Sequence, residues 1–223
     1  MFLPLLIAGV VGYLLGSLPF GYLVAKARGV DIFKTGSGNP GATNVKRVLG
    51  AKAGYSVYAL DALKGAVAAA WPLALWRFYA TPDNGSLWSD FVIGALGHQN
   101  AMCLVGLVCA VLGHSFSIFT RFKGGKGVAT TSGGLVVLMW KPIVIGVVVW
   151  LITFLASRYV SLASILAAIV VPAAAWVLGY PLALKVVVTL LGVLVIVRHH
   201  ANIRRLLAGT EHRWERAAKK EAP

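Results

Sequence analysis

Apolar runs of near-bilayer length recur along almost the whole chain, and each is cut off by a short polar, glycine-rich or basic stretch. A helix needs about 20 predominantly apolar residues to cross the hydrocarbon core of a membrane. Residues 2–24, 54–77, 91–112, 160–178 and 182–197 reach or approach that length. Residues 128–140 and 143–157 are shorter and are divided by Lys141-Pro142. Proline removes one helical hydrogen bond and its ring clashes with the preceding turn. This region therefore reads as two short spans, with a single bent span as the competing reading. Backbone polar groups in lipid must be satisfied inside their own segment, so the chain is predicted to be all-α. The expected architecture is a polytopic integral membrane helix bundle of about seven transmembrane helices.

Composition leaves little room for anything else. The 223 residues are 58% hydrophobic, with a mean hydropathy of +0.79, well above ordinary soluble domains. Residues 1–212 read as one membrane-embedded domain, and 213–223 as a basic, disordered cytoplasmic tail. Ala25-Lys26-Ala27 has the look of a signal-peptidase site, but no positive residues precede the first apolar run, so that run reads as a retained span.

Lys and Arg number 21 against seven Asp and Glu, a formal net charge of +14. In a soluble chain this excess would point to nucleic acid. Here the basic residues gather at the ends of apolar runs, which marks a membrane surface and anionic substrates instead. The loops at 25–53, 113–127 and 158–159 and the tail hold nearly all of them, leaving Arg77, Lys141 and Lys185 for the opposite side. With seven spans, the positive-inside rule places the N-terminus outside and the C-terminus in the cytoplasm. The carboxylates Asp31, Asp61, Asp83, Asp90, Glu211, Glu215 and Glu221 are scattered. They form neither a metal cage nor an acid/base pair, so no metal is expected. Cys103 and Cys109 share one apolar segment and read as small buried hydrophobes.

Three polar stretches hold the residues suited to chemistry. The longest, GHSFSIFTRFKGGKGVATT at 113–131, crowds Arg121, Lys123, Gly124, Gly125, Lys126 and Gly127 together. Glycines let backbone N–H groups turn toward a ligand, and lysines supply charge. A helix starting near Val128 would aim its positive end at the same point. The pattern suits a phosphate. It is not the nucleotide-binding P-loop, since Lys126 is followed by glycine rather than Ser or Thr. A second stretch, Gly36-Ser37-Gly38-Asn39-Pro40-Gly41-Ala42-Thr43-Asn44 followed by Lys46 and Arg47, is too rich in turn formers for regular structure. It suits either a polar ligand, with Arg47 gripping a phosphate, or a plain surface connector. In the third, RHHANIRRL at 198–206, His199 and Asn202 share a face if the helix continues. Ser161 and Ser164 sit three apart after Arg158, and serines in spans ordinarily bond their own backbone. No Ser–His–Asp triad can be assembled. Asp61 and Lys64 read as an i,i+3 ion pair near the interface.

With these residues in place, the sequence resembles the acyl-phosphate-dependent glycerol-3-phosphate acyltransferase family, the PlsY family. GSGNPGATN with Arg47, GHSFSIFTRFKGGKGVAT, and RHHANIRRL with Gly209 and Glu211 carry the resemblance. GSLPFGYL at 16–23 and the Asp61–Lys64–Gly65 spacing add to it, over about residues 12–211. The resemblance implies a seven-span protein of the bacterial inner membrane with its site toward the cytoplasm. It implies transfer of an acyl group from a long-chain acyl-phosphate to the 1-hydroxyl of glycerol 3-phosphate, without metal or cofactor. The implied partners are those two substrates, membrane phospholipid and the soluble enzyme that makes acyl-phosphate, with no role for nucleic acid. It assigns catalysis to His199, Asn202, Lys126 and Ser164, with Ser161 as the alternative serine. It assigns substrate binding to Ser37, Gly38, Asn39, Thr43, Asn44, Arg47, His114, Lys123, Gly124, Gly125 and Gly127. Either His199 or the leaving phosphate takes the proton. Positions 119 and 204, which follow His114 and His199 by five, are Phe and Arg, so the His-x4-Asp signature of other glycerol-phosphate acyltransferases is absent. The Gly97-His98-Gln99-Asn100 stretch has no place in the family pattern, and His98 reads as structural. A membrane carrier for a phosphorylated small molecule is the main alternative, and a metal-dependent head-group transferase a weaker one.

Overall fold

The computed structural model describes residues 2–79 and 98–214, and every regular element in them is helical. The first apolar run gives α1 (Phe2–Ser17) and α2 (Phe20–Lys26), parted at Leu18-Pro19, where proline cannot continue the hydrogen-bond ladder. There follow α3 (Ala42–Leu49), α4 (Ala51–Tyr79), α5 (His98–Ser115), a single 3₁₀ turn at Ile118–Thr120, α6 (Val128–Ser157), α7 (Val160–Val177), α8 (Leu182–Arg198) and α9 (His200–Leu207). The beginning of the apolar run expected at 91–112, Gly97 included, and the tail beyond Trp214 lie outside the described residues.

The all-α, multi-pass class holds. Among the described residues, four helical stretches are long and apolar enough to cross a membrane: Leu3–Lys26, Ala101–Thr120, Val128–Ser157 and Val160–Val177. A fifth is added if α8 and α9, bent by 57°, form one broken span. The count is lower than the seven read from sequence for two reasons. Helix α4, rich in alanine and carrying Asp61 and Lys64, is not among these stretches. And α6 is counted once, although its 30 residues are two helical segments joined at a kink. Its helical path is broken only at Met139 (φ −154°, ψ 67°). The break expected at Lys141-Pro142 thus falls in the preceding turn, where the Pro142 ring would otherwise meet the carbonyl of Leu138.

Helix α1 packs along α5 and α4 along α6, while α7 lies between α6 and α8. Lipid tails are as apolar as the side chains, so association here rests on close packing rather than on the hydrophobic effect. Small residues make that possible. Gly12 and Gly16 on α1 lie directly against the backbone of Gly106 and Ala110 on α5. Gly65 on α4 meets the Thr130 carbonyl, and Gly133 on α6 meets Ala62. A continuous core of Leu104, Leu107, Val111, Leu135, Ile143, Val188 and Leu191 fills the centre of the bundle.

The first polar loop departs from the sequence reading, because residues 42–49 form a helix. The signal lies in Val45, Val48 and Leu49, spaced i, i+3, i+4 among small polar residues. A second apolar cluster of Ala25, Ile32, Val45, Ala53 and Val57 pins this loop against α2 and α4. Residues 213 and 214, assigned by sequence to the tail, also pack. The Trp214 N–H donates to Arg158 O at 2.9 Å, and its ring stands edge-on to Phe154 at 5.7 Å and carries the Lys46 ammonium over its face.

Candidate active site

Three chain segments converge where α6 begins. Gly127 caps that helix with φ +84°, a conformation that favours glycine. The opening turn of α6 leaves its N–H groups without intrahelical partners, at the positive end of the helix dipole. Lys126 stands immediately before it. Its ammonium donates to Asn202 Oδ1 at 2.6 Å. The Asn202 amide in turn donates from Nδ2 to Glu211 Oε1 at 2.7 Å. The same carboxylate oxygen accepts from Ser161 Oγ at 2.9 Å, and Oε2 accepts from Arg205 Nε at 2.7 Å. Asn202 and Ser161 are buried. The chain reverses after α9 through Gly209, at φ +69°, and this turn lets Glu211 come back onto Asn202.

Electrostatics follow from this packing. Burial pushes the Lys126 ammonium down to about 8, with the neighbouring cations Arg205, Arg47 and Arg198 adding to that and Glu211 opposing it. For Glu211, burial works against the charged form, but the bonds from Asn202, Arg205 and Ser161 outweigh it and hold the carboxyl below its usual value. At neutral pH the cluster is a charged lysine held by a neutral amide, which is itself anchored to a carboxylate.

His199 lies at the junction of α8 and α9 and is buried. The helix does not run straight through it, as a shared face with Asn202 had required, but bends there by 57°. His199 Nδ1 lies 2.7 Å from Val195 O. A carbonyl only accepts, so Nδ1 carries a proton and the neutral ring leaves Nε2 as an acceptor. Lys126 and Glu211 are near enough for both charges to act on this ring.

The first loop is organised by Asn44. Its Oδ1 accepts from Ser37 N at 2.9 Å and from Arg47 Nη1 at 3.5 Å, and its Nδ2 donates to Thr35 O at 3.0 Å. Asn39 Oδ1 accepts from Gly41 N. Both amides expected to touch substrate are therefore engaged inside the loop. Gly38, at φ +68°, belongs to the same turn. Ser37, Thr43 and Arg47 are exposed. Arg47 interacts electrostatically with Glu211 and Arg205, which ties this loop to the other two segments.

The remaining expected residues divide. Gly124, Gly125 and Gly127 form the turn before α6, and Arg198 clamps it by donating to Gly124 O and Gly125 O at 3.0 Å. Lys123 is exposed, and its backbone closes the turn onto Thr120. His114 faces Asp61 rather than the Lys126 cluster. Ser164 also lies apart: it donates to Val160 O at 2.8 Å and accepts from Trp150 Nε1 at 3.2 Å. Ser161, one turn earlier, is the serine that reaches the cluster. Glu211 and Arg205 complete the site, although only their place in the RHHANIRRL stretch and the Gly209–Glu211 pair hinted at them. Among the described residues, no group of three or more His, Cys, Asp or Glu gathers as metal ligands.

Such a bundle, with an anion-seeking helix start, a buried lysine and an oriented histidine at one end, defines a membrane-embedded enzyme acting on phosphate-bearing molecules. The sequence profile of the family described as Glycerol-3-phosphate acyltransferase matches residues 6–209, and the chain belongs to that family. A glycerol-3-phosphate acyltransferase of Aquifex aeolicus (strain VF5) is 40% identical over 92% of this chain and 96% of its own length. One of Synechococcus sp. (strain JA-3-3Ab) is 42% identical over 95% of this chain and 94% of its own. The fold is similar to the crystal structure of PlsY (YgiH), an integral membrane glycerol 3-phosphate acyltransferase, in its glycerol 3-phosphate form, with a TM-score of 0.81 at 40% identity, covering 95% of this chain and 96% of that one. The lysophosphatidic acid form of PlsY (YgiH) gives a TM-score of 0.79, covering 95% of each chain.

Proposed function

We propose that this chain moves the acyl group of a long-chain acyl-phosphate onto the 1-hydroxyl of glycerol 3-phosphate. The products are lysophosphatidic acid and inorganic phosphate, in the first committed step of phospholipid synthesis. The observation that carries this reading is the Lys126–Asn202–Glu211 chain beside His199 at the start of α6. It joins a phosphate-seeking lysine to a hydrogen-bond acceptor for a hydroxyl. Both substrates bear a phosphate, in keeping with the glycine-rich turn and with Arg47.

The chemistry needs little beyond placement. An acyl-phosphate is already activated, so no covalent enzyme intermediate is required. The hydroxyl oxygen attacks the carbonyl carbon, the bond from that carbon to the phosphate oxygen breaks, and phosphate leaves. The hydroxyl proton passes to His199 Nε2 or to the departing phosphate. Lys126 neutralises phosphate charge, and the start of α6 stabilises negative charge as it develops. Ser161 and Glu211 hold Asn202, and through it the lysine. We place this site at the cytoplasmic face of a bacterial inner membrane, with seven crossings and an external N-terminus. The excess of Lys and Arg in the loops at 25–53 and 113–127 supports that orientation.

The test is acyl transfer by the purified, detergent-solubilised protein with labelled glycerol 3-phosphate and a chelator. Palmitoyl-phosphate, palmitoyl-CoA and palmitoyl-acyl carrier protein are supplied separately. Labelled lysophosphatidic acid is expected from the acyl-phosphate alone. Product from a thioester donor instead would overturn the donor assignment, and folded protein inactive with all three would overturn the reaction.

A further inference from the structure

A second polar cluster lies behind the glycine turn, away from Lys126 and Asn202. Asp61 and Lys64 are both buried on α4, with Lys64 Nζ 2.7 Å from Asp61 Oδ1. Lys64 also donates to Leu18 O at 2.8 Å, across the break between α1 and α2. His114, at the end of α5, places Nδ1 3.5 Å from the same Asp61 oxygen. The far edge of its ring lies against Gly125, where a β-carbon would overlap Nε2. Gly125 N donates to His114 O at 3.0 Å. The three charged or titratable side chains border a small cleft together with Ser117, Gly124 and Gly125.

We infer that Asp61 and Lys64 are positioning residues for the proposed reaction: through His114 they set the backbone of Gly124–Gly125, and with it the aim of Lys126. The glycine turn is held from two sides. Arg198 grips its carbonyls, and the His114 ring backs it. The ring in turn faces a carboxylate whose charge Lys64 offsets, in a place costly for any isolated ion. Such a pair contributes little net stability, since well-packed apolar groups of similar volume commonly replace one at no loss. Here it also locks α4, the α1–α2 break and the end of α5 into one frame behind the turn.

The inference rests on the acyltransferase reading, and two readouts separate them. The first variant is Asp61→Leu/Lys64→Met, which replaces the ion pair by apolar groups. A merely structural pair predicts a folded protein with wild-type KM. A positioning pair predicts a folded protein whose KM for glycerol 3-phosphate rises about tenfold, with kcat within about threefold, as expected when ground-state and transition-state binding weaken alike. The second readout is protection by glycerol 3-phosphate against thermal unfolding, which reports the turn without turnover. It is expected to need about tenfold more ligand in the variant. Should the double variant fail to fold, Asp61→Asn and Gly125→Ala carry the test. Each is expected to raise the KM, and together by less than the product of the two effects, because both displace the same turn. Wild-type KM and protection in the folded double variant overturn the inference. So do fully multiplicative effects, or an absence of protection in the wild type. Protection that weakens as expected in a protein with no transfer activity would keep Asp61 and Lys64 as the groups that set the ligand-binding turn and remove the acyl-transfer step from the reading.

Discussion

Lys126 and Asn202 are 76 residues apart in sequence, yet the lysine ammonium donates to the asparagine Oδ1 at 2.6 Å. The amide cannot flip without breaking a second bond, because its Nδ2 serves Glu211. The lysine is therefore aimed by a group that is itself fixed, and its other N–H bonds remain for a phosphate. Lys126→Met and Asn202→Ala should each lower kcat/KM by about a hundredfold or more, in the range seen when one oriented electrostatic partner is removed. Helix content by circular dichroism should not change. Activity within a few-fold of wild type in either variant would separate this pair from the chemistry.

The pH dependence follows from the same lysine. Its value of about 8, below the usual 10.5, leaves it charged at neutral pH and increasingly neutral above pH 8. Phosphate esters are already dianionic there, their second ionisation lying near pH 6. The kcat/KM for glycerol 3-phosphate should therefore be flat near neutrality and fall toward one decade per pH unit above about 8. In Lys126→Arg, whatever activity survives should lack that limb, since a guanidinium stays charged. The contribution of this group to stability has the opposite slope. Between about 8 and 10.5 the unfolded chain binds the extra proton, so the burial penalty is fully felt below 8 and is relieved as pH rises.

Ser161 and Ser164 are one turn apart and opposite in role. Ser161→Ala removes a donor to Glu211 and should lower kcat about tenfold by loosening Asn202, a loss typical of a supporting shell. Ser164→Ala removes only contacts to Val160 O and the Trp150 indole. It should keep near-wild-type turnover with a small loss of thermal stability. The reverse ranking in a transfer assay would restore Ser164 to the site.

Glu211 accepts from three side chains, Ser161 on α7 and Asn202 and Arg205 on α9. Glu211→Gln removes the charge that Arg205 needs and turns one acceptor into a donor. Bonds to a charged group are worth about 1.5–3 kcal/mol each, so a clear drop in thermal midpoint is expected together with the loss of activity. A variant with an unchanged midpoint would show that the carboxylate does not hold α9 in place.

These cases also show what the sequence could reveal. Apolar length and the positions of Gly and Pro mark the helices, because in lipid the backbone has few alternatives. The start of α6 at Val128 follows from the glycines before it. Lys126, His199 and Asn202 stand out as polar residues at the edge of apolar runs. The choice between Ser161 and Ser164 does not follow, because it depends on the rotation of α7 against a carboxylate that returns from beyond α9. Glu211 belongs to the motif that carries the resemblance, but its partners become visible only once Gly209 turns the chain back. The α3 helix is masked by its turn-forming residues, though Val45, Val48 and Leu49 carry its period. His114 belongs to a motif that resembles a phosphate site, yet its ring faces Asp61, a pairing that depends on how α4 crosses α5.

Asn44 offers the last test, because its role differs from that of the residues around it. It is only 2% exposed, and it holds Ser37 N, Thr35 O and the Arg47 guanidinium at once. With its Oδ1 doubly engaged and its Nδ2 turned to Thr35 O, this buried side chain acts on the loop, so its effect should pass through Ser37 and Arg47. Asn44→Ala leaves the partly buried Ser37 N–H and Thr35 carbonyl without their partner, at a cost below that of a fully buried group, about 1–3 kcal/mol. It should raise the KM of a phosphate-bearing substrate more than it lowers kcat, since Arg47 remains present but loses its orientation. Arg47→Ala should give the same phenotype, and the two together should be less than additive, as for residues acting through one loop. Independent, fully additive losses would mean that Asn44 meets the substrate itself.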